Sequence, residues 1–435
     1  MKSILRIVLI LLLMPLHVLA QEDYSFDLSE IEKKPYTLGG YLELTPKIFW
    51  LDHDSAFYRL NFYDREEQDY LDEYNFKLSM NGGYSKGISE IYIRSNIDQR
   101  ESDIDSETDI SVDEGYLSVK PSSALNISFG KKVLKWGKGY AWNPVGFVGR
   151  PKNPDDPDLA LEGYIVATAD YIKSFAGPLK AMAITPVIIP VYDHINTDLG
   201  TRNNINYAGK LYFLLYDTDI DFMFHKGNSR PSRFGADFSR NITSNFEIHG
   251  ELAHVDNIMK KTIDRNGTIT QSTNDIENYL LGIRYLTEAD TTFIFEYYRN
   301  GTGFTGEEME GFFGLVDNGM NAYLSSSDET LLKKARSVTE GNYGRQNPMR
   351  DYLYMRISQK ESFDILYFTP SVTCIYNVKD ESFSLSPELL YTGITNLELR
   401  LKAGFIAGSE NTEFGEKQND YRAELRVRYY FDVAK

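Results

Sequence analysis

The chain has 435 residues, with 63 acidic and 46 basic side chains, a net charge of −17 and a single cysteine, Cys374. One cysteine excludes a disulfide framework and a thiolate metal cluster, and an acidic chain without a basic tract speaks against a nucleic-acid partner. Length alone allows two or three soluble domains or one large barrel.

Residues 1–20 have the three parts of a secretory signal: Lys2 and Arg6, the apolar run Ile7 to Leu13, and Val18-Leu19-Ala20 before Gln21. The run is shorter than the ~20 residues of a spanning helix. Without Lys2 and Arg6 the exported chain keeps 44 basic against 63 acidic residues, a net of −19. Residues 21–37 are expected to form an N-terminal periplasmic segment.

From residue 38 onward the dominant signal is alternation of period two. Tyr74, Phe76, Leu78 and Met80 share one face, with Glu73, Asn75, Lys77 and Ser79 on the other. Leu125, Ile127 and Phe129 alternate with Asn126 and Ser128; Tyr279, Leu281, Ile283 and Tyr285 precede the turn TEAD; and Phe293, Phe295 and Tyr297 follow it. In the last segment Tyr421, Ala423, Leu425, Val427, Tyr429 and Phe431 oppose Arg422, Glu424, Arg426 and Arg428. Such strands suit a sandwich or a membrane barrel. Two features favour the barrel. Aromatics (Tyr70, Tyr421, Tyr429, Phe431) end the apolar rows, and connections alternate between short turns and the long segments 98–109, 135–161, 190–204, 257–275 and 300–349. The expected fold is all-β: a single antiparallel transmembrane barrel over residues 38–435, of eighteen strands. Sixteen is the other count, because 55–69, 163–175 and 219–240 are less regular.

The stretch KWGKGYAWNPVGFVGRPKNPDDPD, residues 135–158, breaks the alternation with Gly and Pro, which suit a loop packed inside protein. Trp136, Tyr140 and Trp142 either anchor a constriction inside the lumen or anchor the rim at the membrane interface. The acidic NPDDPD and the acidic runs 66–73 and 101–109 are expected to be solvated outer loops or divalent bridges to lipopolysaccharide. In the loop 300–349, Glu308, Phe312, Leu315 and Val316 space like a helical face, and a lid or constriction is expected.

A strand ending in Trp136-Gly137 and followed by Asn143-Pro144 resembles uncharacterised porin-like barrels and is similar in organisation to alginate-export-type barrels. The likeness rests on about ten residues of motif and on the architecture. It implies transport across the outer membrane of a Gram-negative bacterium. Many such barrels end on an aromatic, whereas Asp432-Val433-Ala434-Lys435 follow Phe431 here.

By the alternation, Arg284, Arg356, Arg400, Lys402, Arg422, Arg426 and Arg428 face the lumen, with Glu398 and Glu424 among them. They form either a basic ladder that guides anions or a cross-strand network of paired charges; both readings stay open. Gly83-Tyr84-Ser85-Lys86-Gly87 fits a nucleophile-elbow pattern but falls in a hairpin. His249 and His254 are five residues apart, which places them on opposite faces of one strand. No catalytic set, metal site or cofactor is expected. The leading reading is a porin-like channel for a small hydrophilic solute, anionic in one version, contacting outer-membrane lipid and lipopolysaccharide. A second is a component of an export or electron-conduit system, with a periplasmic protein partner docking on residues 21–36. A barrel lipid hydrolase comes last.

Overall fold

The computed structural model describes residues 34–433. The expected leader, and the 21–37 segment up to residue 33, lie outside the described residues.

Eighteen strands follow one another around a single closed sheet. In chain order they are β1 (Tyr36–Leu51), β2 (Tyr70–Lys86), β3 (Ser89–Ser102), β4 (Ser106–Ser122), β5 (Leu125–Lys132) and β6 (Tyr164–Ser174). Then come β7 (Leu179–Val191), β8 (Asn204–Leu215), β9 (Thr218–Lys226), β10 (Arg233–Thr243), β11 (Phe246–Ile263) and β12 (Ile269–Leu286). The last six are β13 (Thr291–Arg299), β14 (Asp351–Gln359), β15 (Phe368–Asn377), β16 (Phe383–Ile394), β17 (Leu397–Ala407) and β18 (Asn419–Asp432). Each pairs antiparallel with its chain neighbour, and β1 pairs with β18, from Gly39 opposite Asp432 to Trp50 opposite Tyr421. Closure leaves no sheet edge, so every strand finds ladder partners without water.

The apolar rows face outward and are uncovered. Tyr421, Leu425 and Tyr429 on β18 are exposed, as are Tyr74, Phe76 and Met80 on β2. A sandwich would have buried these rows. Trp50 stands in register with both Tyr70 and Tyr421 at the loop end, and all three are exposed, as an interfacial aromatic girdle requires. Among the described residues no helix is long and apolar enough to cross a membrane.

Two expected loops are strand instead. Residues 98–109 and 257–275 continue the ladders of β3–β4 and β11–β12, which close only at Glu101 opposite Ser106 and Ile263 opposite Ile269. Alternation fades there for a physical reason. Gln271, Thr273, Asp275 and Glu277 share the outward parity of Tyr279, and polar residues at those positions suit a ladder rising above the apolar band. The irregular stretch 55–69 is not strand. It carries a short helix, α1 (Ala56–Phe62), capped by Ser55, whose hydroxyl accepts from the Tyr58 amide. The connection after β13 holds α2 (Gly306–Ser326) and α3 (Thr330–Ser337).

Candidate functional site

The connection between β5 and β6, residues 133–163, folds into the barrel and touches its wall along most of the circumference. Its first half has no ladder, so its amides need other acceptors. Two wall carboxylates supply them. Glu251 on β11 accepts from the amides of Lys138 (2.6 Å), Gly139 (2.6 Å) and Val145 (3.1 Å). Glu296 on β13 accepts from the amides of Tyr140 and Ala141, and His249 Nε2 lies 2.9 Å from it. The glycines of the KWGKGY run make this approach possible. Gly137 has φ +98°, and a Cβ there would stand 2.8 Å from Glu251 Oε1; a Cβ on Gly139 would meet the Trp142 carbonyl at 2.1 Å. Only glycine lets the backbone wrap this carboxylate.

The aromatics expected at the constriction lock this half in place. Trp136 is buried, in one cluster with Val145, Phe147 and inward residues of β6 to β9. Trp142 stacks on Tyr298 at 5.0 Å and meets Tyr354 edge-on at 5.9 Å. Tyr140 is half-buried; its hydroxyl donates to Asp158 over 3.3 Å, and burial pushes its pKa up to about 12. The two tryptophans are thus packing residues inside the barrel, while Tyr140 keeps a polar edge.

The second half docks by charge. Asp156 Oδ2 lies 3.1 Å from Arg400 and 2.9 Å from Arg426, and Asp155 Oδ2 lies 3.4 Å from Arg422. The Asp155 carbonyl accepts from Lys402 Nζ over 2.6 Å. Burial alone would raise the Asp156 pKa, but Arg400 and Arg426 outweigh it and hold the carboxyl below its ordinary value. NPDDPD was expected in solvent; the structure corrects this, because the lumen arginines offer these aspartates stronger partners than water. The rest of the ladder is paired within the wall: Arg428 to Glu43 (2.6 Å) and Glu398 (3.7 Å), Arg356 to Glu388 (3.4 Å), and Arg426 to Glu424 (3.4 Å). The six cations Arg356, Arg400, Lys402, Arg422, Arg426 and Arg428 therefore share one region with six carboxylates. Arg284 stands apart near the turn end of β12, exposed and opposite Glu247 in register.

Lys152 reaches back between the halves, donating to the carbonyls of Gly139 (2.7 Å) and Tyr140 (3.1 Å); burial lowers its pKa. Above the loop lies a helical cap. Phe312, Leu315 and Val316 of α2 are buried, whereas Glu308 caps the helix by accepting from the Thr305 amide. Phe312, Tyr343 and Phe304 form a stack with centroids 4.5 and 4.1 Å apart, and Phe57 of α1 packs against Phe312 at 5.8 Å. Trp142 belongs to the same buried cluster, so cap and loop are one packed body.

Glu43, Glu251, Glu296 and Glu388 were not singled out from the sequence. The available sign was an acid on an inward position among small or apolar neighbours, as at Glu251 beside Gly250 and Ala253. Ser85 lies in the β2 strand leading into the β2–β3 hairpin, not in a strand-to-helix turn. His249 faces Glu296, and His254 lies 2.6 Å from Glu277. Among the described residues no group of His, Cys, Asp or Glu has the arrangement of a metal site.

No family model matches the chain, and no curated protein matches it. Solved structures do. OccK5 (OpdH) of Pseudomonas aeruginosa matches at 12% identity and TM-score 0.51, over 91% of this chain and 98% of that one. OpdQ of the same organism matches at 11% identity and TM-score 0.51, over 92% and 100%. The fold is that of an outer-membrane porin-like barrel. A further match is Wzi of Escherichia coli, described as an outer-membrane protein involved in group 1 capsule assembly and a carbohydrate-binding barrel. It shows 11% identity and TM-score 0.53, over 91% of this chain and 84% of that one. At these identities the porin-like likeness is one of fold.

Proposed function

We propose that the protein is an outer-membrane barrel of a Gram-negative cell that restricts the passage of small hydrophilic solutes through a constriction built from its own loop. The observation that carries this reading is the docking of residues 133–163 on two separate arcs of the inner wall. Glu251 and Glu296 hold one half, and Arg400, Arg422 and Arg426 hold the other. A wet lumen crossed by such a loop conducts through gaps lined by paired charges, and selectivity follows from what lines them.

The pairing also bears on the solute. A basic ladder raises local anion concentration only while its charge is uncompensated. Here six cations are met by six carboxylates within the same region, so the reading favours uncharged or charge-balanced solutes over anions. Tyr140, Arg356 and Arg400 are the residues proposed to border the narrowest path, while Trp136 and Trp142 hold its shape.

Single-channel recording on the purified protein in planar bilayers tests the proposal. A small conductance with a reversal potential near zero in a salt gradient is expected. A large conductance with strong anion preference would overturn it. Absence of any conductance would favour a closed wall component of a multi-protein system.

A further inference from the structure

At the loop end of the lumen lies a cavity of about 370 Å³. Its floor is the inner face of β15 to β17, given by Ile375, Ser384 and Ile406, and its inner edge is the Asp155–Arg422 pair. Residues 339–347, the connection between β17 and β18, and α1 supply its other walls. The space thus borders the charged docking contact of the inward loop. The inference rests on the restricted-passage reading and names the solute for it. We propose that this cavity is a binding site for an uncharged polyhydroxylated molecule, of the size of a mono- or disaccharide.

The lining carries the argument. Five side-chain amides border the cavity: Asn61, Gln346, Asn347, Gln418 and Asn419. Asn61 already donates to Gln418 and Gln346 to Asn153, but an amide has two donor hydrogens and two acceptor lone pairs, so capacity remains to match a hydroxyl, itself donor and acceptor. Two of the lining polar groups are also unfinished. Asn347 Oδ1 and Glu413 Oε1 are buried and have no hydrogen-bond partner, on residues that are 7% and 1% exposed. A buried acceptor left unmatched is destabilising, and a small shift of its side chain toward the cavity lets a ligand donor satisfy it. The partner that fits two acceptors is a donor-rich molecule. Phe57 and Phe414 add apolar side-chain atoms to the same wall.

The charged groups of the lining have contacts of their own. Asp155 faces Arg422 at 3.4 Å, and Lys417 Nζ lies over the Phe57 ring at 5.4 Å. The other oxygen of Glu413 accepts from the Tyr352 hydroxyl and from Asn377. The lining thus holds two acids and two bases, and its formal charge balance favours a neutral molecule over an ion of either sign. The volume falls at the small end of the usual range for ligand sites, about 300–1,000 Å³.

Isothermal titration of the full-length folded protein in detergent with glucose, maltose and maltotriose tests this site. Sodium gluconate and glycine serve as the anionic and zwitterionic controls. Saturable binding of at least one sugar, tighter than either control, is expected. Asn347→Gly removes the amide yet keeps the left-handed backbone at that position, where φ is +50°. Asn61→Ala removes a second amide from the exposed side of α1. Each is expected to weaken sugar binding about three- to tenfold, the effect of one neutral hydrogen bond. No saturable sugar binding, tighter binding of a control, or sugar affinity unchanged in both variants would overturn the proposal. Since binding is read without current, a protein that binds sugar but does not conduct would break the restricted-passage reading and leave the site standing.

Discussion

The two halves of the inward loop are held by opposite means. Residues 136–145 are gripped by carboxylates that the wall supplies to backbone amides, and Trp136 and Trp142 are sealed in apolar clusters. Residues 150–158 bring their own carboxylates to cations on the wall, and those contacts are partly open to solvent. Hydrogen bonds and packing away from water respond little to salt, whereas part-exposed ion pairs respond to it. The first half therefore behaves as fixed wall, and the second as the part of the constriction that conditions can loosen.

Breaking the fixed half should cost most. Trp142→Ala removes the stack on Tyr298 and the edge contact with Tyr354, and about 3–5 kcal/mol of stability should be lost. A heated-gel mobility series would show this as a lower unfolding temperature; an unchanged midpoint would mean the aromatic cluster is not what fixes the loop. Glu251→Ala comes next, at about 2–4 kcal/mol, since three amides lose their acceptor and water can reach only some of them.

Loosening the charged half should instead change transport more than folding. Asp156→Asn should cost about 1–2 kcal/mol while raising conductance and shifting the reversal potential toward anions, because Arg400 and Arg426 are left undercompensated. If both halves respond alike in current and in melting, the contrast between them fails.

The smallest effect is with pH. The Asp156 carboxyl has a folded pKa below its unfolded value of about 3.9. Its stabilising contribution is complete above that value and is lost as pH falls through the lower, folded one. Conductance should then stay level from pH 7 to about 4 and rise only below. Asp156→Asn should abolish that rise. A rise already between pH 7 and 5 would assign the closure to other groups.

Much of the wall was legible in the sequence. Period two is enforced by lipid on one side, so Tyr421 to Phe431 and Arg422 to Arg428 could be sorted without coordinates. Where lipid stops enforcing it, at 98–109 and 257–275, the strands vanished from view. The loop partners were hidden for a different reason. Asp156 and Arg426 are 270 residues apart, and no local pattern marks such a pair. An arginine on the lumen face looks the same in sequence whether water or a folded-in aspartate faces it. Glu251 and Glu296 were hidden in the same way, since a carboxylate serving backbone amides leaves no partner side chain to notice.

β18 has two tasks at once: it zips against β1 to close the seam, and it presents Arg422, Arg426 and Arg428 to the interior. Until the last strand of the chain is laid, Asp155 has no Arg422 and Asp156 has only Arg400. Closure and loop docking thus share one strand. The apolar clusters can seat the first half of the loop while the cylinder is still open, but its acidic half is fastened only by the strand that completes the cylinder. That strand couples the finished seam to the fastened acidic half. A barrel stalled before its final strand would be left with its interior half dressed.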